Sequence, residues 1–102
     1  MFKVTKSAAD QVKNAAQQGG SEGMALRLAA QKHPDGTYEY MMGFDEVTED
    51  DIKFASEGIN IIMAPEYVPL LDKATLDYVK LEEGEFQFIF INPDDANYSS
   101  VS

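Results

Sequence analysis

Residues 75–93, which read TLDYVKLEEGEFQFIFINP, constrain the fold of this chain more than any other stretch. Leu76, Tyr78 and Leu81 nearly alternate with Asp77, Lys80 and Glu82, and Phe86, Phe88 and Phe90 alternate with Gln87, Ile89 and Ile91. Successive side chains of a strand point to opposite faces, so each run reads as a β-strand. Glu82-Glu83-Gly84-Glu85 interrupts the alternation with an acidic turn. The stretch is expected to form a β-hairpin, with Phe86, Phe88 and Phe90 on one face of a core strand. Residues 94–102, which follow it, are polar and cysteine-free, and they are expected to form a flexible tail.

The remaining elements are read in the same way. Ser7 followed by Asp10 resembles a capping box, and Ala8, Ala9, Val12, Ala15 and Ala16 recur at helical spacing, which predicts a helix over residues 8–18 stopped by Gly19-Gly20. Its alanine stripe implies close packing against a sheet. Residues 24–31 place Met24, Leu26, Leu28 and Ala30 on one side and Ala25, Arg27 and Ala29 on the other, and residues 37–44 are their expected partner strand. Between the two, Lys32-His33-Pro34-Asp35-Gly36 has the residue order of a type I turn followed by a left-handed residue. Strands are expected at 52–55 and 59–64 about a turn at Glu57-Gly58, and a short helix at 66–71 limited to about one turn by Pro69.

The chain has 102 residues, the length of one domain, and such a domain buries roughly two-thirds of the surface its unfolded form exposes. One domain over residues 1–93 with the tail at 94–102 is the expected organisation. No apolar run approaches the roughly 20 residues of a membrane span, so no membrane association is expected. The first residues lack the apolar stretch of about 7–15 residues that export requires, which favours a cytoplasmic location.

Eight basic against eighteen acidic residues give a net charge of −10. The imbalance is uneven, with five basic and two acidic groups in residues 1–34 and three basic and sixteen acidic in residues 35–102. Such a surface repels a phosphate backbone, so no nucleic-acid partner is expected. A basic protein surface suits it better, although acids also serve simply to keep a small domain soluble.

The absence of cysteine removes thiolate nucleophiles, disulfides and thiolate-ligated clusters together. His33 is the only histidine; next to Pro34 it reads as an exposed turn residue, and with Asp35 or Glu39 it would make at most a weak metal site. Residues 45–51 hold many carboxylates but lack the order and central glycine of a calcium loop, so they read as a solvated acidic connection, with Thr48 able to cap a local turn. Gly19-Gly20-Ser21-Glu22-Gly23 follows a helix and precedes a strand, the reverse of a phosphate loop. Ser99 and Ser100 have no visible base, and nothing sets Asp45 and Glu49 at a catalytic separation. Met41-Met42 and the other methionines suit a core or an adaptable contact surface better than copper ligation. No catalytic, cofactor-binding or metal residue is assigned, and no cofactor is expected.

The layout resembles the A-type iron–sulfur carriers, the HesB/IscA-like family. The resemblance is carried by Leu71-Asp72, Thr75 to Val79, Phe86, Phe88 and Asn92-Pro93, and upstream by Ser7-Ala8-Ala9, Leu26-Arg27-Leu28, Gly36, Gly43-Phe44 and Asp51-Ile52. It implies a mainly β (α+β) fold, a two-sheet sandwich or pseudo-barrel with an N-terminal helix and one short second helix. The family's three cysteines would fall near Pro34, Ser99 and Val101 by counting from Gly36 and Asn92-Pro93, so the ligand loop has become a structural turn. Within the family the closer likeness, in residues 19–24, 33–36, 41–52 and 67–72, is to a cysteine-free, DsrR-like branch associated with bacterial dissimilatory sulfur oxidation. The resemblance implies a non-enzymatic interaction or regulatory protein with an unidentified protein partner, monomeric because no cluster-bearing tail can join subunits. The alternative it leaves is an iron or iron–sulfur assembly accessory protein that uses non-cysteine ligands.

Overall fold

A computed structural model describes residues 2–82 and 84–96. Two sheets face each other, one ordered β3-β2-β5-β4 and the other β1-β6-β7. In the first, β2 (Ala25–Lys32) and β3 (Tyr38–Asp45) form one antiparallel hairpin, and β4 (Ile52–Ser56) and β5 (Ile59–Met63) form another. A parallel β2·β5 pairing joins the two hairpins at the centre. In the second, β6 (Thr75–Lys80) and β7 (Phe86–Ile91) are the hairpin expected from the alternation, and β1 (Lys3–Val4) runs parallel to β6. Helix α1 spans Lys6–Gly19; a 3-10 turn at Pro65–Tyr67 leads into the single-turn helix α2 at Val68–Leu71. This is the mainly β, two-sheet architecture with an N-terminal helix and one short second helix that the family resemblance implies.

The core lies between the sheets and under α1. Leu26, Leu28 and Ala30 of β2 meet Ile59, Ile61 and Met63 of β5, Leu76 of β6, Leu71 of α2, and Ala8, Ala9 and Val12 of the helix. Full burial of a leucine or isoleucine is worth roughly 1.5–3 kcal/mol, so the fully buried Leu28, Ile61, Leu71 and Leu76 anchor the structure. The alanine stripe does what its size allows, bringing α1 close to the strands with Ala8 and Ala9 buried.

The helix begins two residues before the position its capping signal suggested. Thr5, not Ser7, is the cap: its Oγ1 accepts from the Ala8 amide at 3.1 Å and donates to Asp77 Oδ1 at 2.7 Å. Ser7 donates instead to the Tyr78 carbonyl of β6. The cause is β1, whose pairing with β6 holds the backbone extended as far as Thr5. A threonine cap of this kind contributes about 1 kcal/mol. At the other end Gly20, in the left-handed region, closes α1 by returning its amide to Gln17 O.

Two further expectations are corrected. Phe86 does not share the core with Phe88 and Phe90: it lies at the turn end of the β6–β7 hairpin, 56% exposed, stacked on Tyr78 with ring centroids 5.4 Å apart. Residues 94–96, expected to belong to a flexible tail, instead form a hydrogen-bonded turn, with Asp95 buried, against the β2–β3 hairpin. The rest of the expected tail, residues 97–102, lies outside the described residues. None of the helices among the described residues is long and apolar enough to cross a membrane.

Candidate functional site

The β2–β3 turn and the segment after Asn92-Pro93, some sixty residues apart in sequence, come together at one end of the molecule. The turn is closed by the Gly36 amide on His33 O at 2.9 Å and by the His33 amide on Thr37 O at 2.8 Å. Asp35 braces it by accepting from the Thr37 amide and hydroxyl at 3.0 and 2.7 Å, and these hydrogen bonds hold its carboxyl below the ordinary carboxylate value. Gly36 is required twice over. Its φ of +88° is one that side chains rarely adopt, and a Cβ there would stand 3.3 Å from the Ala96 side chain.

The incoming segment is fixed by buried polar groups. Asn92, 1% exposed, donates from Nδ2 to Leu70 O at 3.0 Å and accepts from the Asp94 amide at 3.1 Å. Asp95 then accepts from the Tyr38 amide at 3.2 Å and the Tyr40 hydroxyl at 2.8 Å, and Ala96 donates to Gly36 O at 2.9 Å. Tyr40 lies flat on Phe90, centroids 4.4 Å apart and rings within 6° of parallel. Burial, then the Asp95 carboxylate, push its phenol well above the ordinary value, with Asn92 easing part of that shift. Tyr40 is thus held neutral as a hydrogen-bond donor.

The second concentration of charge is on the outer face of the four-stranded sheet. β3 and β4 are its two opposite edges, so the acidic connection between them must pass from one side to the other. Arg27, which points away from the core in β2, holds it: Nε donates to Asp45 at 2.7 Å, Nη1 and Nη2 to the two oxygens of Asp51 at 2.6 and 2.7 Å, and Nη2 also to Glu46 O at 3.1 Å. The Asp51 side chain is only 3% exposed and accepts further from the Thr48 amide and hydroxyl. Gly43 lies opposite Arg27 in the ladder. The expected solvated loop is therefore a clamped strap; Thr48 does take part in a local turn, but as the donor to Asp51.

The other singled-out residues are scattered. His33 is half-buried with Nε2 3.5 Å from Glu39 Oε1, and Pro34 is exposed. Asp45 is engaged by Arg27 while Glu49 is exposed on the strap, so these two form no acid–base pair. Met63 is in the core, whereas Met24, Met41 and Met42 are exposed. Ser99, Ser100 and Val101 lie outside the described residues. Among the described residues no three His, Cys, Asp or Glu side chains gather as a metal site.

A sequence model for iron-sulphur cluster biosynthesis matches residues 1–99, almost the whole chain. The chain belongs to the iron-sulphur cluster biosynthesis family. It is 33% identical over 93 residues to the iron-sulfur cluster insertion protein ErpA of Pseudomonas putida, covering 90% of this chain and 79% of that one. Among solved structures it resembles that of IscA with the [2Fe-2S] cluster, with a TM-score of 0.74 and 26% identity over 91% of this chain and 86% of that one. It is also similar to a protein of Aquifex aeolicus solved in solution, with a TM-score of 0.66 and 34% identity over 90% and 91% of the two chains.

The [2Fe-2S] cluster in the similar IscA structure is not matched by the donors present in this chain. The chain has no thiolate. Among the described residues where the turn and the C-terminal segment meet, the oxygens of Asp95 and Tyr40 are hydrogen-bonded to each other and to the Tyr38 amide, and Asp35 is engaged by Thr37. Hard oxygen donors already engaged in this way do not replace soft sulfur ligands. Sequence reading identified the loss of the cysteines but neither the Asp95–Tyr40 contact nor the Arg27 strap. The outward phase of Arg27, a cation between Ala25 and Ala29 on its side of β2, was the available signal for the second.

Proposed function

We propose that this member of the family works as a non-enzymatic, monomeric protein-binding module and not as a carrier holding a cluster on its own side chains. The observation behind this is the closure of the end of the molecule where the turn and C-terminal segment meet: Asp95, Tyr40 and Gly36 seal it with internal hydrogen bonds. The finer reading is a regulatory role in bacterial dissimilatory sulfur oxidation. It is supported by the likeness of residues 19–24, 33–36, 41–52 and 67–72 to the cysteine-free, DsrR-like branch. A second reading, an accessory role in iron–sulfur assembly, is supported by the likeness to a cluster insertion protein.

Anaerobic reconstitution separates carriage from binding. Incubated with ferrous iron and sulfide and then desalted, the protein is expected to be colourless, because no thiolate is present to give cluster charge-transfer bands. Absorbance retained after desalting would overturn the proposal. The partner is sought by affinity capture from a sulfur-oxidising lysate. Recovery of a sulfur-pathway protein is expected, and recovery of cluster-assembly proteins alone would favour the second reading.

A further inference from the structure

The outer edge of β3 is the unusual feature left over. β3 is an edge strand of eight residues without proline or lysine, devices that commonly blunt such edges. Two hydrogen bonds define its outward phase. The His33 amide bonds Thr37 O inside the hairpin, while the Tyr38 amide leaves the hairpin to reach Asp95. Residues of an antiparallel strand alternate between facing the partner strand and facing away, so Tyr40, Met42 and Phe44 also present their N–H and C=O groups outward. Among the described residues none of those three has a backbone partner on that side. Asp95 occupies the first rung, and the chain then turns toward Gly36, away from the other three.

Beside this edge lies an open hollow of about 220 Å³ lined by Arg27, Ala29, Met41, Gly43 and Asp45 among others. Met41 is 46% exposed, and nothing stands within 4 Å of where a Gly43 side chain would be. The outer side of the strand thus reads acid, methionine, glycine, acid from Glu39 to Asp45. Residues 39–51 contain Glu39, Asp45, Glu46, Glu49, Asp50 and Asp51 and no basic residue, against the single charge of Arg27.

We propose that the β3 edge from Tyr40 to Phe44 takes up an extended, basic segment of a partner protein as an added strand. This rests on the protein-binding reading above and gives it a location and a partner chemistry. Backbone groups supply the rungs, the hollow at Met41 and Gly43 takes an apolar side chain, and the acids at either end favour lysine or arginine. A second copy of this chain is a poor occupant. The antiparallel register that pairs all three open residues, centred on Met42, sets Glu39 opposite Asp45 twice, and like charges directly opposed are destabilising.

The test uses the full chain, labelled with nitrogen-15, and an end-blocked seven-residue peptide alternating lysine and valine. With the peptide bound, amide exchange at Tyr40, Met42 and Phe44 is expected to slow about ten-fold or more. Affinity should fall with added salt, as for any contact in which exposed charges contribute. Met42→Pro deletes one outward N–H at a position where edge strands tolerate proline, and it should weaken binding about ten-fold, equivalent to 1.4 kcal/mol. Glu39→Lys, an exposed substitution, should weaken it as well and serves if the proline variant does not fold. No binding of the lysine peptide, equal binding of its glutamate counterpart, or protection confined to β7 would overturn the proposal. The lysate capture is read separately: a partner held equally by wild type and Glu39→Lys removes the β3 assignment and leaves the protein-binding reading standing.

Discussion

Arg27→Leu is expected to release the strap between β3 and β4 and to lower the melting temperature by roughly 10 °C, since removing one partner of a partly buried charge pair strands the other. The stranded group is Asp51, whose side chain is nearly inaccessible and would keep only its bonds from Thr48. Leucine retains much of the aliphatic stem, so packing loss is small and the effect isolates the guanidinium. The substitution also has a pH signature. The Arg27 guanidinium, followed by the Thr48 amide, holds the Asp51 carboxyl well below its ordinary value of 3.8, and Arg27 followed by the Glu46 amide depresses Asp45. A carboxyl depressed in the folded state adds stability that is fully present above 3.8 and is lost as pH falls through the folded values. Wild type should therefore lose stability on acidification below about pH 4, and Arg27→Leu should show a shallower loss over the same range. Thermal melts at stepped pH measure both, and parallel curves would refute the assignment.

Asn92→Leu should destabilise the fold by about 2–3 kcal/mol, because it removes the partners of the Leu70 carbonyl and the Asp94 amide at a site too enclosed for ready hydration. For a domain of this size that corresponds to a drop in melting temperature of about 10 °C or more. The loss should be local in origin. With Asp94 no longer held, the Asp95 carboxylate loses its placement, so the Tyr38 amide should exchange faster while amides of the central β2·β5 pair keep their order of protection. Urea unfolding gives the first quantity and hydrogen exchange the second. A variant as stable as wild type would show that the contacts of Asn92 are not what fixes this segment.

The strands were legible from the sequence wherever alternation ran for five residues or more, and β2 through β7 fall within a residue or so of their expected limits. β1 was not, because two residues carry no period. Its absence from the reading also misplaced the helix cap: Ser7 is locally the better hydroxyl cap, and the pairing of Lys3-Val4 with Thr75-Leu76 decides for Thr5. Arg27 was legible as an outward residue, but its partners belong to a connection whose route depends on which strands form the sheet edges. Asp95 gave no local signal at all. It is one acid in a polar segment, and its burial follows from Tyr40, a residue fifty-five positions away.

The parallel contact between β1 and β6 also governs the order in which the molecule can assemble. Thr5 and Asp77 are 72 positions apart, whereas β2 to β5 come from one uninterrupted stretch. The four-stranded sheet can therefore form while the chain is still being synthesised, but β1 has no partner until β6 has left the ribosome. Until then α1 lacks the strand that sets its first turn. β1, made well before the strand it pairs with, is among the last parts to lock into place.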